Sequence, residues 1–305
     1  MQILYNGVDI TKDITIKKCV YIDNHGGGAD SAAVTVDNTS ALWGEWQPQR
    51  GDTLKIIADK LNTGILYMDS PEQQADSFIL NALSVPPTAK EIKSRIWRDV
   101  NLFTVCGDIA RNNGLTFKPY NIKNYTYKTV TQLEETDLAF LQRICANEGY
   151  VVKVYDNNLI VYSEYEFEQA QTVGTIQPAD VQPNYAFKLA PNVVQAVTLK
   201  HADINGNLLL HTEQDKNRAG KHEKHIVNVN TIEELKRRCR AYLRAYNRNA
   251  ITAVFTMALK TSITAGNTVD VKGFKMYDGK YFVYRAYFDL INNTTKFSIR
   301  KTLDY

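Results

Sequence analysis

The sequence is poor in the residues from which covalent frameworks and catalytic centres are built. Its four cysteines, Cys19, Cys106, Cys145 and Cys239, are far apart and form no Cys-x-x-Cys pair. That argues against a zinc site and a disulfide scaffold, and points to synthesis in a reducing cytoplasm. Cys106 and Cys145 fall in helical patterns beside Ile109 and Ile144 and read as buried free thiols. The five histidines (25, 201, 211, 222 and 225) lie outside any Ser or Cys motif, and there is no Gly-x-Ser-x-Gly elbow. Neither charge sign dominates. Lys and Arg number 36 against 33 Asp and Glu, so the net charge is 36 − 33 = +3, too weak a field over this length to suggest a polyanion partner. No apolar run approaches the ~20 residues that span a bilayer. Residues 1–7 have neither the basic nor the apolar region of a secretory signal, so none is expected.

What remains is ordinary globular composition with one excess. Hydrophobic residues make up 44% and charged residues 23%, which excludes extended disorder. At ~150 residues per domain, 305 residues predict two domains or three smaller ones. The excess is tyrosine, with 18 copies against three Trp and 11 Phe. An apolar ring with a polar tip suits half-wet strands and subunit contacts; Tyr281, Tyr284 and Tyr287 along one strand fit that use, while core packing is the alternative for about half of the tyrosines.

Residues 1–88 read as strands and turns. Asn6-Gly7 is a two-residue hairpin signal between Ile3–Tyr5 and Val8–Ile10. Ile14, Ile16, Lys18 and Val20 share one side of a predicted strand. Further strands are expected at Ala32–Val36, Leu54–Ala58, Ile65–Met68 and Phe78–Leu83. Pro86-Pro87 then marks a boundary. From 89 to 165 the pattern predicts two helices against a small sheet. The first is capped by Asp99, carries Leu102, Val105, Cys106 and Ile109, and stops at Gly114. A short strand follows at Leu115–Phe117. The second helix starts at Thr136 or Asp137 and stops at Gly149, leading into a hairpin of Tyr150–Tyr155 and Leu159–Tyr162. From 166 to 305 strands return, with a hairpin around Asn205-Gly206-Asn207 and a polar, basic exposed loop at 213–230. A helix is expected at Ile232–Asn247, then four strands at 251–260, 268–272, 281–290 and 296–302.

The two strand-rich parts echo each other. Gly51-Asp52-Thr53-Leu54-Lys55-Ile56 resembles Gly266-Asn267-Thr268-Val269-Asp270-Val271, 215 positions later. The same offset places Gly64-Ile65-Leu66-Tyr67 on Gly279-Lys280-Tyr281-Phe282. A chance match of short β patterns and an internal duplication both produce such an echo. Duplication accounts for more of it, because turn, alternating strand, Gly turn, aromatic strand and further strand keep their order.

Motifs with chemical potential each have a plainer reading. Gly26-Gly27-Gly28 is followed by no Gly-Lys-Ser/Thr, so a flexible loop between strands is expected rather than a phosphate cradle. His222-Glu223-Lys224-His225 resembles half a metal site, but no Cys or carboxylate pair at ligand spacing supports it. Glu134-Glu135 with Asp137 sit at a helix start, where carboxylates meet the positive end of the macrodipole. Glu164, Glu166 and Glu168 alternate along an expected extended segment and read as a solvated face rather than a glycosidase pair. The basic helix with Lys236, Arg237, Arg238, Arg240, Arg244 and Arg248 is open to two readings, a nucleic-acid contact or a surface helix beside acidic neighbours. No specific nucleic-acid partner is assigned. Nor is any catalytic, cofactor-binding or metal-binding residue, and no cofactor is expected.

The segment from Gln132 to Tyr150, with Glu135-Thr136-Asp137, Phe140-Leu141, Ala146 and Gly149, carries a resemblance, as do Ile109-Ala110 with Gly114-Leu115 upstream. So do the closing strands Thr264–Val271, Gly279–Ala286 and Phe297–Arg300. Together they resemble the phage late control gene D protein family, the baseplate hub proteins of contractile tails. The resemblance implies an α+β, mainly β fold in which two tail-tube-like β-barrel domains flank a small α/β domain. On it the division is 1–88, 89–165 and 166–305, with helix 232–247 in the last part and strands of 166–230 partly completing the first barrel. It implies a non-enzymatic homotrimer that adapts a six-fold tail tube to a three-fold spike, in a phage, a tailocin or another contractile injection system. The partners implied are the tail tube protein, a trimeric spike protein, baseplate wedge proteins and the tape measure protein. The place implied is the baseplate of an extracellular particle assembled in the bacterial cytoplasm. With Tyr305 directly after the second β part, no spike needle or lysozyme-like domain is expected. A tail-associated cell-wall hydrolase is the alternative.

Overall fold

The structure is a computed structural model and describes residues 1–202 and 206–305. The first part contains β1 (Gln2–Tyr5), β2 (Val8–Asp9), β3 (Ile16–Asn24), β4 (Ser31–Asp37), the short helix α1 (Leu42–Trp46), β5 (Thr53–Ala58), β6 (Leu61–Asn62), β7 (Leu66–Gln73) and β8 (Ser77–Leu83). Asn6 and Gly7 take φ of 46° and 80°, the left-handed pair that a two-residue hairpin requires. Burial alternates strictly along β4, β5 and most of β8, so one face of each enters the core.

The middle part has β9 (Ile92–Asn101), α2 (Leu102–Asn112), β10 (Thr116–Tyr120), β11 (Thr126–Thr136), α3 (Asp137–Asn147), β12 (Tyr150–Tyr155), β13 (Asn158–Ser163) and α4 (Glu164–Gln169). Both expected helices form. The cap of α2 is Asn101 rather than Asp99, its side chain accepting from Thr104 N–H at 2.9 Å. Thr136 caps α3 by accepting from Ala139 N–H. Gly114 and Gly149, with φ of 67° and 75°, end the two helices as expected. The sequence reading had no place for β9 and β11, an antiparallel ribbon largely exposed to solvent. With little buried on either face, the hydrophobic alternation that identifies a strand is weak there.

The last part holds β14 (Thr175–Ile176), β15 (Ala186–Leu189), β16 (Val194–Ala202), β17 (Leu208–Gln214), β18 (Lys221–Ile226), α5 (Ile232–Asn247), β19 (Ile251–Ala258), β20 (Thr268–Val271), β21 (Gly279–Asp289) and β22 (Thr294–Lys301). The span of α5 matches expectation. The turn expected at 205–207 falls partly outside the described residues. Residues 221–226, expected within an exposed loop, instead pair in parallel with β16. Their polar, half-exposed pattern marks an edge strand, which composition alone does not separate from a loop.

The architecture is α+β and mainly β. A single 14-stranded sheet has the main path β15-β19-β22-β21-β3-β4-β8-β7-β5-β1-β2, with β20 and β14 branching from β21 and β6 from β5, and does not close among the described residues. The two β halves, expected as separate units, therefore share one sheet. They meet where β3 pairs antiparallel with β21, from Arg285 opposite Asn24 to Asp289 opposite Val20, and one hydrophobic core draws on both halves. A second core lies within 85–161. A third lies between α5 and the sheet of β16, β17 and β18.

The 215-residue echo is structural. Gly51 N–H donates to Met68 O at 2.9 Å, and Gly266 N–H donates to Val283 O at 2.8 Å. Met68 N–H donates to Asp52 O, as Val283 N–H does to Asn267 O. Each turn is closed by its own Asx side chain, Asp52 accepting from Gln49 N–H and Asn267 from Thr264 N–H. Gly51 and Gly266 hold φ of 97° and 93°, open to glycine and strained for other residues. The ladders also agree, with Thr53 opposite Tyr67 and Thr268 opposite Phe282. Even the bulge recurs, at Met68/Ser70 and at Val283/Arg285.

Candidate functional site

A cluster of buried ion pairs gathers on α4, where an extended segment was expected. The run Glu-Tyr-Glu-Phe-Glu-Gln is rich in helix formers, with Glu164 and Glu166 in the first turn. Helical spacing puts Glu164 and Glu168, four residues apart, on one face, and both are buried. Arg300 from β22 reaches both, with Nη2 2.9 Å from Glu164 Oε1 and Nη1 2.5 Å from Glu168 Oε1. Arg244 from α5 pairs with Glu168 at 3.0 Å and Arg248 with Glu164 at 3.6 Å. Glu168 also accepts from Leu303 N–H. From the glycine loop, His25 places Nε2 3.3 Å from Glu164 Oε1, while its Nδ1 contacts the Tyr162 hydroxyl at 2.6 Å. The expected solvated glutamate face is thus corrected. Glu166 alone of the three is exposed, and the other two hold the ends of distant segments together.

Electrostatics keep Glu164 ionised within this cluster. Burial by itself raises the Glu164 carboxyl, but the His25 contact and the Arg300 and Arg248 guanidiniums outweigh it and hold the group well below the usual carboxylate range. Burial pulls His25 below its ordinary value despite Glu164, so at neutral pH the arginines supply the countercharge. A glycosidase needs one carboxylic acid kept protonated, and this environment does the reverse to Glu164. A cleft of about 460 Å³ opens beside the cluster, lined by His25, Glu164, Lys188, Arg248, Tyr284 and Arg300.

A second fastening joins the middle part to the first. Lys153 on β12 reaches Asp23 at 2.6 Å, Asp30 at 3.0 Å and Asn24 O at 2.6 Å. Burial opposes its charge, but the two carboxylates outweigh that and raise it above the ordinary lysine value. Burial pushes Asp30 up to about 6, against the pull of Lys153. The glycine loop lies in this seam. A Cβ on Gly26 would fall 2.1 Å from Val151 Cγ1, so this glycine permits close packing against β12. Tyrosines fasten the same seam, Tyr155 donating to Asn62 O at 3.0 Å and Tyr67 to Asn157 Oδ1. Of the 18 tyrosines, four are buried, four exposed and the rest half-buried, so the excess serves seams inside the chain to a large degree. Tyr281 is wholly buried, whereas Tyr284 and Tyr287 are half-buried.

The basic helix α5 is neutralised from within. Lys236 pairs with Glu233, Arg237 with Glu148, Arg238 with Glu234, Arg240 with Glu213, Arg244 with Glu168 and Arg248 with Glu164. Arg237 also lies 3.6 Å over the Tyr125 ring, which docks α5 on the middle part. Of the two readings of this helix, the one with acidic neighbours matches the geometry.

The remaining motifs are structural contacts. His222 Nε2 meets Thr198 Oγ1 at 2.7 Å, and His225 Nε2 meets the Tyr246 hydroxyl at 2.8 Å. No group of three or more metal-ligating side chains occurs among the described residues. Asp137 is buried and satisfied by Lys93, Arg95, Asn113 and Gln132, and Glu135 pairs with Arg143. All four cysteines are free and buried.

No family model and no curated protein matches the chain. Solved structures do. The tail protein from Neisseria meningitidis MC58 has a TM-score of 0.77 at 12% identity, covering 98% of this chain and 95% of that one. The 43 kDa tail protein of prophage MuSo2 from Shewanella oneidensis has a TM-score of 0.74 at 12% identity, covering 98% of each chain. The fold is that of phage tail proteins. An E. coli type VI secretion system component, described as similar to T4 bacteriophage tail proteins gp27 and gp5, has a TM-score of 0.64 at 8% identity, covering 100% of this chain and 78% of that one. Arg300 and Arg244 were not singled out as partners of the α4 glutamates. The one available signal was Glu164 and Glu168 at helical spacing, and an isolated Arg in a strand says nothing of where its guanidinium ends.

Proposed function

We propose that the chain is the structural hub of a contractile-tail baseplate, of the late control gene D type. In this reading it is a homotrimer that adapts a six-fold tail tube to a three-fold spike. The observation that carries the reading is the hydrogen-bonded repeat. Two halves with the same Gly-Asx turn, ladder and bulge give two equivalent units per chain, and three chains supply the six that a hexameric tube meets. The tail-protein fold over nearly the whole chain supports the same reading.

In this reading residues 1–88 and 166–305 are the tube-like parts and 89–165 the module between them. The tube protein, the spike protein, wedge proteins and the tape measure protein are the partners, at the baseplate of a phage or tailocin particle assembled in the cytoplasm. The role is mechanical and needs no cofactor. Native mass spectrometry of the purified chain, alone and with its spike and tube proteins, is the test. A trimer is expected, and a monomer under all conditions refutes the reading. On a peptidoglycan zymogram no clearing is expected, and clearing would favour the hydrolase alternative.

A further inference from the structure

The repeat also identifies two strand edges that the chain leaves unused. The 215-residue offset carries β21 onto β7, bulge onto bulge. Outward along the ladder, β22 corresponds to β8 and β19 to β4, since Ala253 stands opposite Ile299 where Ala32 stands opposite Ala82. One strand further, β15 corresponds to β3, with Phe187 opposite Ala253 where Tyr21 is opposite Ala32. Within the chain the halves meet as β3 against β21. The counterpart of that junction, β15 against β7, is not made. Among the described residues, β15 ends the sheet, and beyond Tyr67 the outer edge of β7 has no strand beside it.

We propose that β15 of one copy pairs antiparallel with residues 70–73 of β7 in the next copy, repeating the β3·β21 junction between chains. This rests on the trimer reading above and names the strands that would build it. The register follows from the internal one, where Arg285 is opposite Asn24, Ala286 opposite Asp23, Tyr287 opposite Ile22 and Phe288 opposite Tyr21. Transferred by the repeat, Ala190 faces Ser70 of the neighbouring copy, Leu189 faces Pro71, Lys188 faces Glu72 and Phe187 faces Gln73.

Three features of the two edges suit this pairing. Lys188 and Glu72 are both exposed, and opposite charges directly across an antiparallel pair attract. Leu189 is 49% and Tyr185 41% exposed, apolar surface that a neighbouring strand would cover. Ala190 N–H donates inward to Ala250 O, so by alternation the N–H groups of Phe187 and Leu189 point outward. On β7, Gln74 N–H donates inward to Ser77 O, so Pro71 belongs to the outward set. The inter-copy ladder therefore lacks one donor, and the proline limits indiscriminate pairing at that edge. The contact is head-to-tail, a type that either closes into a ring or runs on as a filament. Three copies close it with all six β halves joined in the same way.

The test uses the full chain with Ser70→Cys and Ala190→Cys. These positions form a directly opposed, non-hydrogen-bonded pair, which brings Cβ atoms to within about 5 Å. Mild oxidation should give covalent dimers and trimers and nothing longer, with neither single variant cross-linking. In parallel, Glu72→Lys or Lys188→Glu should each weaken assembly by about fivefold or more, and the double swap should restore it. Both residues are exposed, so the folded chain should keep its circular dichroism spectrum. A trimer that neither cross-links nor responds to the charge swaps overturns the strand pairing while leaving the trimer reading intact. A covalent ladder extending past three chains supports the pairing and overturns the trimer. A monomer without cross-links overturns both.

Discussion

Replacing Arg300 by Met removes the central cation of the buried cluster while keeping a side chain of similar length. Arg300 is 2% exposed, touches Glu164 and Glu168, and lies 4.7 Å over the Phe282 ring. Arg300→Met leaves two buried carboxylates short of charge, with only Arg244 and Arg248 to answer them. Breaking a buried pair by removing one partner costs about 3–5 kcal/mol. At ~2 °C per kcal/mol for a chain of this size, the melting temperature should fall by roughly 6–10 °C. Urea unfolding followed by circular dichroism measures the loss directly, and it should shift the midpoint without changing the slope. Glu168→Gln in the same background should recover at least ~1 kcal/mol relative to the sum of the two single changes, because it removes the orphaned charge. Acid unfolding gives a second readout. Glu164 sits lower folded than its unfolded value of 4.5. It therefore adds stability above that value and loses it as pH falls toward the folded value. Arg300→Met should shrink that acid limb. A loss below ~1 kcal/mol, or strict additivity with Glu168→Gln, would refute the view that this cluster fastens the chain.

Other positions give independent checks. Gly26→Ala should destabilise by ~1–3 kcal/mol in thermal melts, since its Cβ would overlap Val151, and Val151→Ala should recover part of the loss. Asp30 holds its proton more tightly folded, at about 6, than unfolded, at 3.8. Its contribution to stability should therefore fall as pH rises between those values. Asp30→Asn should flatten that limb, by at most ~3 kcal/mol between urea midpoints taken at the two ends. Arg237→Ala should cost ~3 kcal/mol by leaving the buried Glu148 unpaired. Fluorescence anisotropy with duplex DNA should show the same weak binding for this variant as for the parent chain, because the helix charges are already neutralised.

The readable parts of the fold were those governed by neighbours in sequence. Asn6-Gly7 and the glycine stops at 114 and 149 each impose backbone geometry that only a few residues tolerate, and each stands where expected. Helix α5 was legible because Leu235, Cys239 and Leu243, at helical spacing, are buried against the sheet of β16, β17 and β18. The ribbon β9·β11 and the edge strand β18 were missed because an exposed strand carries little hydrophobic period. The charged groups were misjudged for a related reason. The sequence displays a glutamate's charge, but whether that charge is solvated or buried depends on cations that arrive from far along the chain.

Sequence by itself determined the local vocabulary of this protein. It set helices α2, α3 and α5, the turns and the repeat of Gly-Asx turn and strand, because these depend on φ preferences and hydrophobic period within a few residues. Only the tertiary structure decided that the two halves share one sheet through β3 and β21, that Glu164 and Glu168 are buried under three arginines, and that α5 spends its charges on carboxylates of this chain. Those outcomes are sums over long-range contacts, in which desolvation and pairing nearly cancel. A near-cancellation is settled by where the partner lands, and that position exists only after folding.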